Sequence, residues 1–149
     1  MNGQVTKAGA KKVLVADDDP VIVKTLSRFL NENGYTALGA SDGAGVARLV
    51  EREKPDLILL DIQFPPDAMN IGGALQDGFF IMEWIRRMGN AANIPIIIIS
   101  VSYASKDRQR ALEAGAVGYF TKPIDRPALL TTIRKVLGTN ATDDVSRAA

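Results

Sequence analysis

Asp56-Leu57-Ile58-Leu59-Leu60-Asp61 runs four apolar residues into a carboxylate, is entered through Lys54-Pro55, and is followed by Ile62, Gln63, Phe64 and Pro65. A run that short and that apolar reads as a strand buried on both faces, and such strands belong to parallel sheets with helices on either side. Asp61 then stands at the carboxyl end of its strand, the edge at which open α/β sheets bind ligands. There it is a candidate nucleophile or metal ligand; an aspartate in that place also serves as an ordinary turn residue.

The same pattern recurs on either side. Val13 to Ala16 is an apolar run ending in Asp17-Asp18-Asp19-Pro20. Asp19 reads as an N-cap with proline in the first turn, opening a helix whose Ile22, Leu26, Phe29 and Leu30 share one face and which Asn33-Gly34 closes. Tyr35 to Ala40 reads as a second strand, and Ser41-Asp42 opens a helix through about Glu53. After the Asp61 strand, residues 65 to 76 hold turn formers without a period. Asp77-Gly78 then leads into a helix to about Met88 with Ile81, Ile85 and Met88 on its core face, which leaves Phe80 and Trp84 on a face that is normally polar. Ile96 to Ile99 is a fourth strand ending at Ser100, Ser105 a cap for a largely polar helix closed by Gly115, and Ala116 to Phe120 a fifth strand ending at Thr121-Lys122-Pro123. Asp125 caps a last helix with Leu129, Leu130, Ile133, Val136 and Leu137 inward. Five strands alternating with five helices make a doubly wound α/β domain. Residues 1–11 read as a flexible lead, 12–138 as the domain and 139–149 as a polar tail.

Composition narrows the chemistry. The 149 residues fit one domain, and 46% hydrophobic with 23% charged residues is ordinary for a globular protein. A formal charge of +1 gives no broad attraction to nucleic acid or anionic lipid. With neither cysteine nor histidine present, thiolate and imidazole metal sites, Ser-His and Cys-His catalysis and disulfides are excluded. Any metal must be held by oxygen, which favours Mg²⁺, Ca²⁺ or Mn²⁺. Met1 to Lys12 lacks the apolar core of a signal peptide, and the aliphatic run at 94–99 is far too short to span a bilayer, so a cytoplasmic location without membrane attachment is expected.

Reactive residues thus follow four separate strands: Asp17 and Asp18, Asp61, Ser100 and Lys122. Right-handed crossovers put those strand ends on one edge of the sheet, where they can share a pocket. Three clustered carboxylates repel unless a cation sits among them, and Mg²⁺ suits the place because it takes one or two carboxylates and keeps positions for water and phosphate oxygens. A carboxylate can attack phosphorus to give an acyl phosphate; Lys122 can neutralise phosphoryl oxygens and the Ser100 hydroxyl can donate to one.

On Val-Ala-Asp-Asp-Asp-Pro at 15–20, the strand at 56–61 with Pro65, Ile-Ile-Ile-Ile-Ser at 96–100 and Glu-Ala-Gly-Ala-Val-Gly-Tyr-Phe-Thr-Lys-Pro at 113–123, the chain resembles the receiver domain of bacterial two-component response regulators, in particular single-domain chemotaxis-regulator-like receivers. The resemblance covers about Lys12 to Leu137. It implies a flavodoxin-like five-stranded parallel sheet of order 2-1-3-4-5, with Asp61 as phosphoacceptor, Asp18 as a direct Mg²⁺ ligand, Asp17 acting through water and the backbone carbonyl of Gln63 as a further ligand. Ser100 and Lys122 would bind the phosphoryl group, Tyr119 would be the aromatic whose rotamer follows the hydroxyl, and Lys122-Pro123 would be cis. The implied partners are a sensor histidine kinase or histidine phosphotransfer protein and a downstream protein target, reached through the face of the fourth helix, fifth strand and fifth helix. With only a short tail after the last helix, output is expected to pass through protein contacts and not through nucleic acid.

Two departures from the family stand out. Val101 occupies a position usually held by a small residue, and the stretch from Asp61 to Asp77 is longer than usual, which places an insertion at about 66–76. That insertion is a candidate cover for Phe80 and Trp84, a dimer or partner contact being the alternative. Two other functions fit the acid set less well: a Mg²⁺-dependent phosphatase with an Asp nucleophile, which usually carries a second Asp where this chain has Gln63, and a degenerate receiver acting only as a binding module.

Overall fold

The computed structural model describes residues 9–62, 78–89, 91–101 and 105–138. Its elements alternate strictly: β1 Lys12–Ala16, α1 Pro20–Glu32, β2 Thr36–Ala40, α2 Gly43–Glu53, β3 Leu57–Asp61, α3 Gly78–Arg87, β4 Ile96–Ser100, α4 Ser105–Glu113, β5 Gly118–Thr121 and α5 Arg126–Leu137. The strands form one parallel sheet in the order β2-β1-β3-β4-β5.

Side-chain alternation along each strand divides the core in two. Leu14, Ile58, Leu60, Ile96 and Ile98 point to the face covered by Val46 and Val50 of α2, Ile81, Met82 and Ile85 of α3, and Ala111 of α4. Val13, Val15, Leu57, Leu59, Ile97 and Ile99 point to the face covered by Leu26 and Leu30 of α1 and by Leu129, Leu130 and Ile133 of α5. Every residue of β3 and β4 is buried, which is why those two segments show continuous apolar runs and no polar alternation.

Helix ends follow the side chains that mark them. Asp19, Asp42 and Asp125 accept from backbone N–H groups in the first turns of α1, α2 and α5. Gly34 and Gly115, both at positive φ, close α1 and α4. At each of these ends the next residue donates back five positions along the chain, Tyr35 to the Leu30 carbonyl and Ala116 to the Ala111 carbonyl. The bond from Ala116 also explains why β5 begins at Gly118 and not at Ala116, since that residue still belongs to the helix closure. Ser105 is the first residue of α4 and not a cap before it.

The placement of Trp84 outside the core face of α3 requires correction. Ile81, Met82 and Ile85 are fully buried and Phe79 nearly so, while Trp84 and Met88 are partly buried against the same core. Helix α3 buries a wider arc than a single stripe, and Trp84 falls within it. The side chain of Phe80, the segment 66–76 and the tail 139–149 lie outside the described residues. No helix among the described residues is long and apolar enough to cross a membrane.

Candidate functional site

The parallel register builds the site. Ala16 pairs with Leu60, so Asp17 and Asp61 are the next residues on neighbouring strands. Asp61 pairs with Ile99, one residue before Ser100, and Ser100 pairs with Thr121, one residue before Lys122. Two backbone bonds hold the rim together at these ends, from Lys122 N–H to the Ser100 carbonyl (2.8 Å) and from Asp17 N–H to the Ala40 carbonyl (3.1 Å).

Asp17 and Asp61 are each 1% exposed and Ser100 is fully buried; Asp18 is exposed. Carboxylate oxygens of Asp17, Asp18 and Asp61 lie within 4.8 Å of one another. Octahedral Mg²⁺, with bonds of about 2.1 Å, sets its ligands about 3 Å apart when adjacent and about 4 Å apart when opposite. An all-oxygen set gathered to about this span is a candidate site for a small hard cation.

Lys122 is the cationic element of the pocket. Its Nζ lies 2.7 Å from Asp17 Oδ2 and 3.5 Å from Asp61 Oδ2. Burial by itself pulls the Lys122 amine down, but the contact with Asp17 and the charges of Asp61 and Asp17 outweigh it, so its pKa is raised. Asp17 is held from the other side as well, its Oδ1 accepting from the Asp19 N–H at 2.9 Å. The Lys122–Pro123 peptide is cis. Tyr119 is buried among the core residues on the α4 side of the sheet, with the Arg108 guanidinium 5.8 Å from its ring centre. Val101, directly after Ser100, is half exposed. Asp17, Asp18, Asp61, Ser100 and Lys122 are thus brought to one edge of the sheet, Tyr119 sits below it, and Gln63 lies outside the described residues.

A doubly wound sheet carrying a candidate oxygen-ligand cation site and a partly buried lysine at its carboxyl edge has the parts of a Mg²⁺-dependent phosphoryl-handling domain. Residues 13–134 match the model of the response regulator receiver domain, and the chain belongs to that family. It is 32% identical over 126 residues to Protein PilH of Pseudomonas aeruginosa, covering 85% of this chain and 97% of that protein. It is also 32% identical over 138 residues to the DNA-binding dual master transcriptional regulator RpaA of Synechocystis, covering 93% of this chain but 53% of that protein. The chain thus spans about half the length of some curated relatives that it matches. Among solved structures, the Vibrio cholerae chemotaxis protein CheY4 superposes with a TM-score of 0.75 at 26% identity, covering 87% of this chain and all of that one (100%). The receiver domain of the Pseudomonas aeruginosa sensor histidine kinase PA1611, which has a magnesium ion coordinated in its active site cleft, gives 0.73 at 27% identity, with 88% and 100% covered.

Proposed function

We propose that Asp61 accepts a phosphoryl group from the phosphohistidine of a sensor histidine kinase or a histidine phosphotransfer protein. The P–N bond of the donor breaks as a P–O bond forms to the Asp61 carboxylate, giving an acyl phosphate that water later cleaves. The observation that carries this reading is the convergence of three carboxylates and one lysine on the strand end that bears Asp61. Asp18, exposed at the mouth, is assigned as a direct metal ligand. Asp17, whose two oxygens already face the Asp19 amide and Lys122, is assigned the outer role through water, and Asp61 and the backbone carbonyl of Gln63 are assigned as further ligands. Bound Mg²⁺ supplies charge neutralisation to the incoming phosphoryl oxygens, and Mn²⁺ suits the same oxygen donors. Lys122 would exchange its contact with Asp61 for one to the phosphoryl group, and the Ser100 hydroxyl would donate to a second oxygen. Tyr119, one layer below Ser100, is assigned the switch that reports this change.

In this reading the protein is a cytoplasmic signalling switch whose site acts on its own Asp61 carboxylate and not on other substrates. Its output is a protein contact made by α4, β5 and α5. A net charge of +1 supports that choice over a nucleic-acid partner. The test is thermal unfolding with Mg²⁺ and with beryllofluoride as phosphoryl mimic. Mg²⁺ should stabilise the wild type, the mimic should stabilise it further, and Asp61→Asn and Asp18→Asn should lose most of both gains. Gains that persist undiminished in both variants would refute the assignment.

A further inference from the structure

Helix α4 is thinly seated. Of Ser105–Glu113 only Ala111 is buried, and a methyl group offers little apolar area. Nine residues are also too few to hold a helix in water without tertiary support. The C-terminal end is secured by the closure at Gly115, whose carbonyl accepts from Arg86 of α3 at 3.4 Å. Along the shaft, two arginines reach aromatic rings: the Arg110 guanidinium carbon is 4.0 Å from the centre of the Phe79 ring, and that of Arg108 is 5.8 Å from the centre of Tyr119. Guanidinium–ring attraction acts within about 6 Å, so the Arg108 contact is at its limit and the Arg110 contact well inside it. Phe79 is 4% exposed and stands in the first turn of α3, where the chain arrives from Asp61.

We propose that Arg110 is a latch that holds α4 against α3 through the face of Phe79, so that the start of α3 sets how firmly α4 is seated. Its meaning for signalling rests on the function proposed above, because α4 forms part of the assigned output face; the latch itself does not depend on that reading. The contact gives α4 a second line of control besides the one through Ser100 and Tyr119.

Amide hydrogen exchange on the full chain tests it, with wild type, Arg110→Ala, Arg110→Lys, Phe79→Leu and the Arg110→Ala, Phe79→Leu double variant. Alanine is the better helix former, so intrinsic propensity predicts slower exchange of α4 amides in Arg110→Ala. The latch predicts exchange about three- to tenfold faster, with α1 and α5 unchanged. Phe79→Leu keeps an apolar side chain but removes the ring and should accelerate α4 similarly, while Arg110→Lys should fall between wild type and Arg110→Ala. The double variant should be no faster than the faster single variant, since one contact cannot be lost twice. Unchanged or slower exchange in Arg110→Ala, or single effects that multiply in the double variant, overturns the proposal. A separate arm with Mg²⁺ and beryllofluoride on the wild type addresses the receiver reading: an α4 that ignores the mimic counts against that reading, whereas the latch is decided by the variants alone.

Discussion

Lys122 places a single positive charge against the buried carboxylates of Asp17 and Asp61. From the sequence, three clustered acids would repel until a cation arrived; in the structure the lysine already offsets part of that repulsion. Lys122→Met should therefore lower stability without Mg²⁺ by about 1.5–3 kcal/mol, the value of a hydrogen bond to a charged group, and Mg²⁺ should recover more stability in the variant than in the wild type. The sign of the pH dependence follows from the raised pKa of Lys122. Its contribution is complete below the ordinary lysine value and is lost as pH rises through the higher value of the folded state. The gap between wild type and Lys122→Met should hence be full at neutral pH and close only in strong alkali. Thermal unfolding with and without Mg²⁺ checks both statements, and equal melting temperatures at neutral pH would contradict them. At Gly115 the issue is backbone conformation: φ is +102°, and an added Cβ would meet Arg86 no closer than 3.7 Å, an ordinary contact. Gly115→Ala should thus cost about 1–2 kcal/mol through the left-handed backbone alone, and a denaturant midpoint that does not move would refute this.

Arg86 binds several elements together. Its Nη1 donates to the carbonyls of Ala92 (3.1 Å) and Ile94 (2.7 Å), and its Nη2 to that of Gly115, fastening α3 to the entries of β4 and β5. These entries form the edge of the sheet opposite the acid cluster. Arg86→Met should lower stability by about 1–2 kcal/mol yet leave Mg²⁺ binding unchanged, as unfolding and metal titration can establish; weakened Mg²⁺ binding would mean that the two edges are coupled. Nothing in the sequence singles out this arginine, because its partners are backbone carbonyls, which carry no residue signature. The strands were legible for the opposite reason: Val13 to Ala16, Leu57 to Leu60 and Ile96 to Ile99 are buried on both faces, so their position in the sheet is written in their own side chains. Helix starts marked by Asp19, Asp42 and Asp125 were legible through their capping carboxylates. The face of α3 was misjudged at Trp84 because periodicity gives the direction of burial but not the width of the arc, which depends on where the helix lies over the sheet.

Across the whole molecule, strand order converts distant sequence positions into neighbours: Asp17, Asp61 and Lys122 are separated by most of the chain and meet within one ion-pair cluster. That convergence was legible because each residue follows an apolar run and parallel crossovers send all such ends to one edge. The Lys122 contacts and the latch at Arg110 were not legible, since they depend on side-chain reach across elements. The central claim is that this edge transfers a phosphoryl group to Asp61 with the help of a divalent cation. Intact-mass analysis after incubation with a small phosphodonor and Mg²⁺ tests it most directly. One added phosphoryl group is the predicted result, absent in Asp61→Asn and absent when a chelator removes the metal; labelling of the wild type that persists in chelator, or labelling of Asp61→Asn to the same extent, would contradict the account.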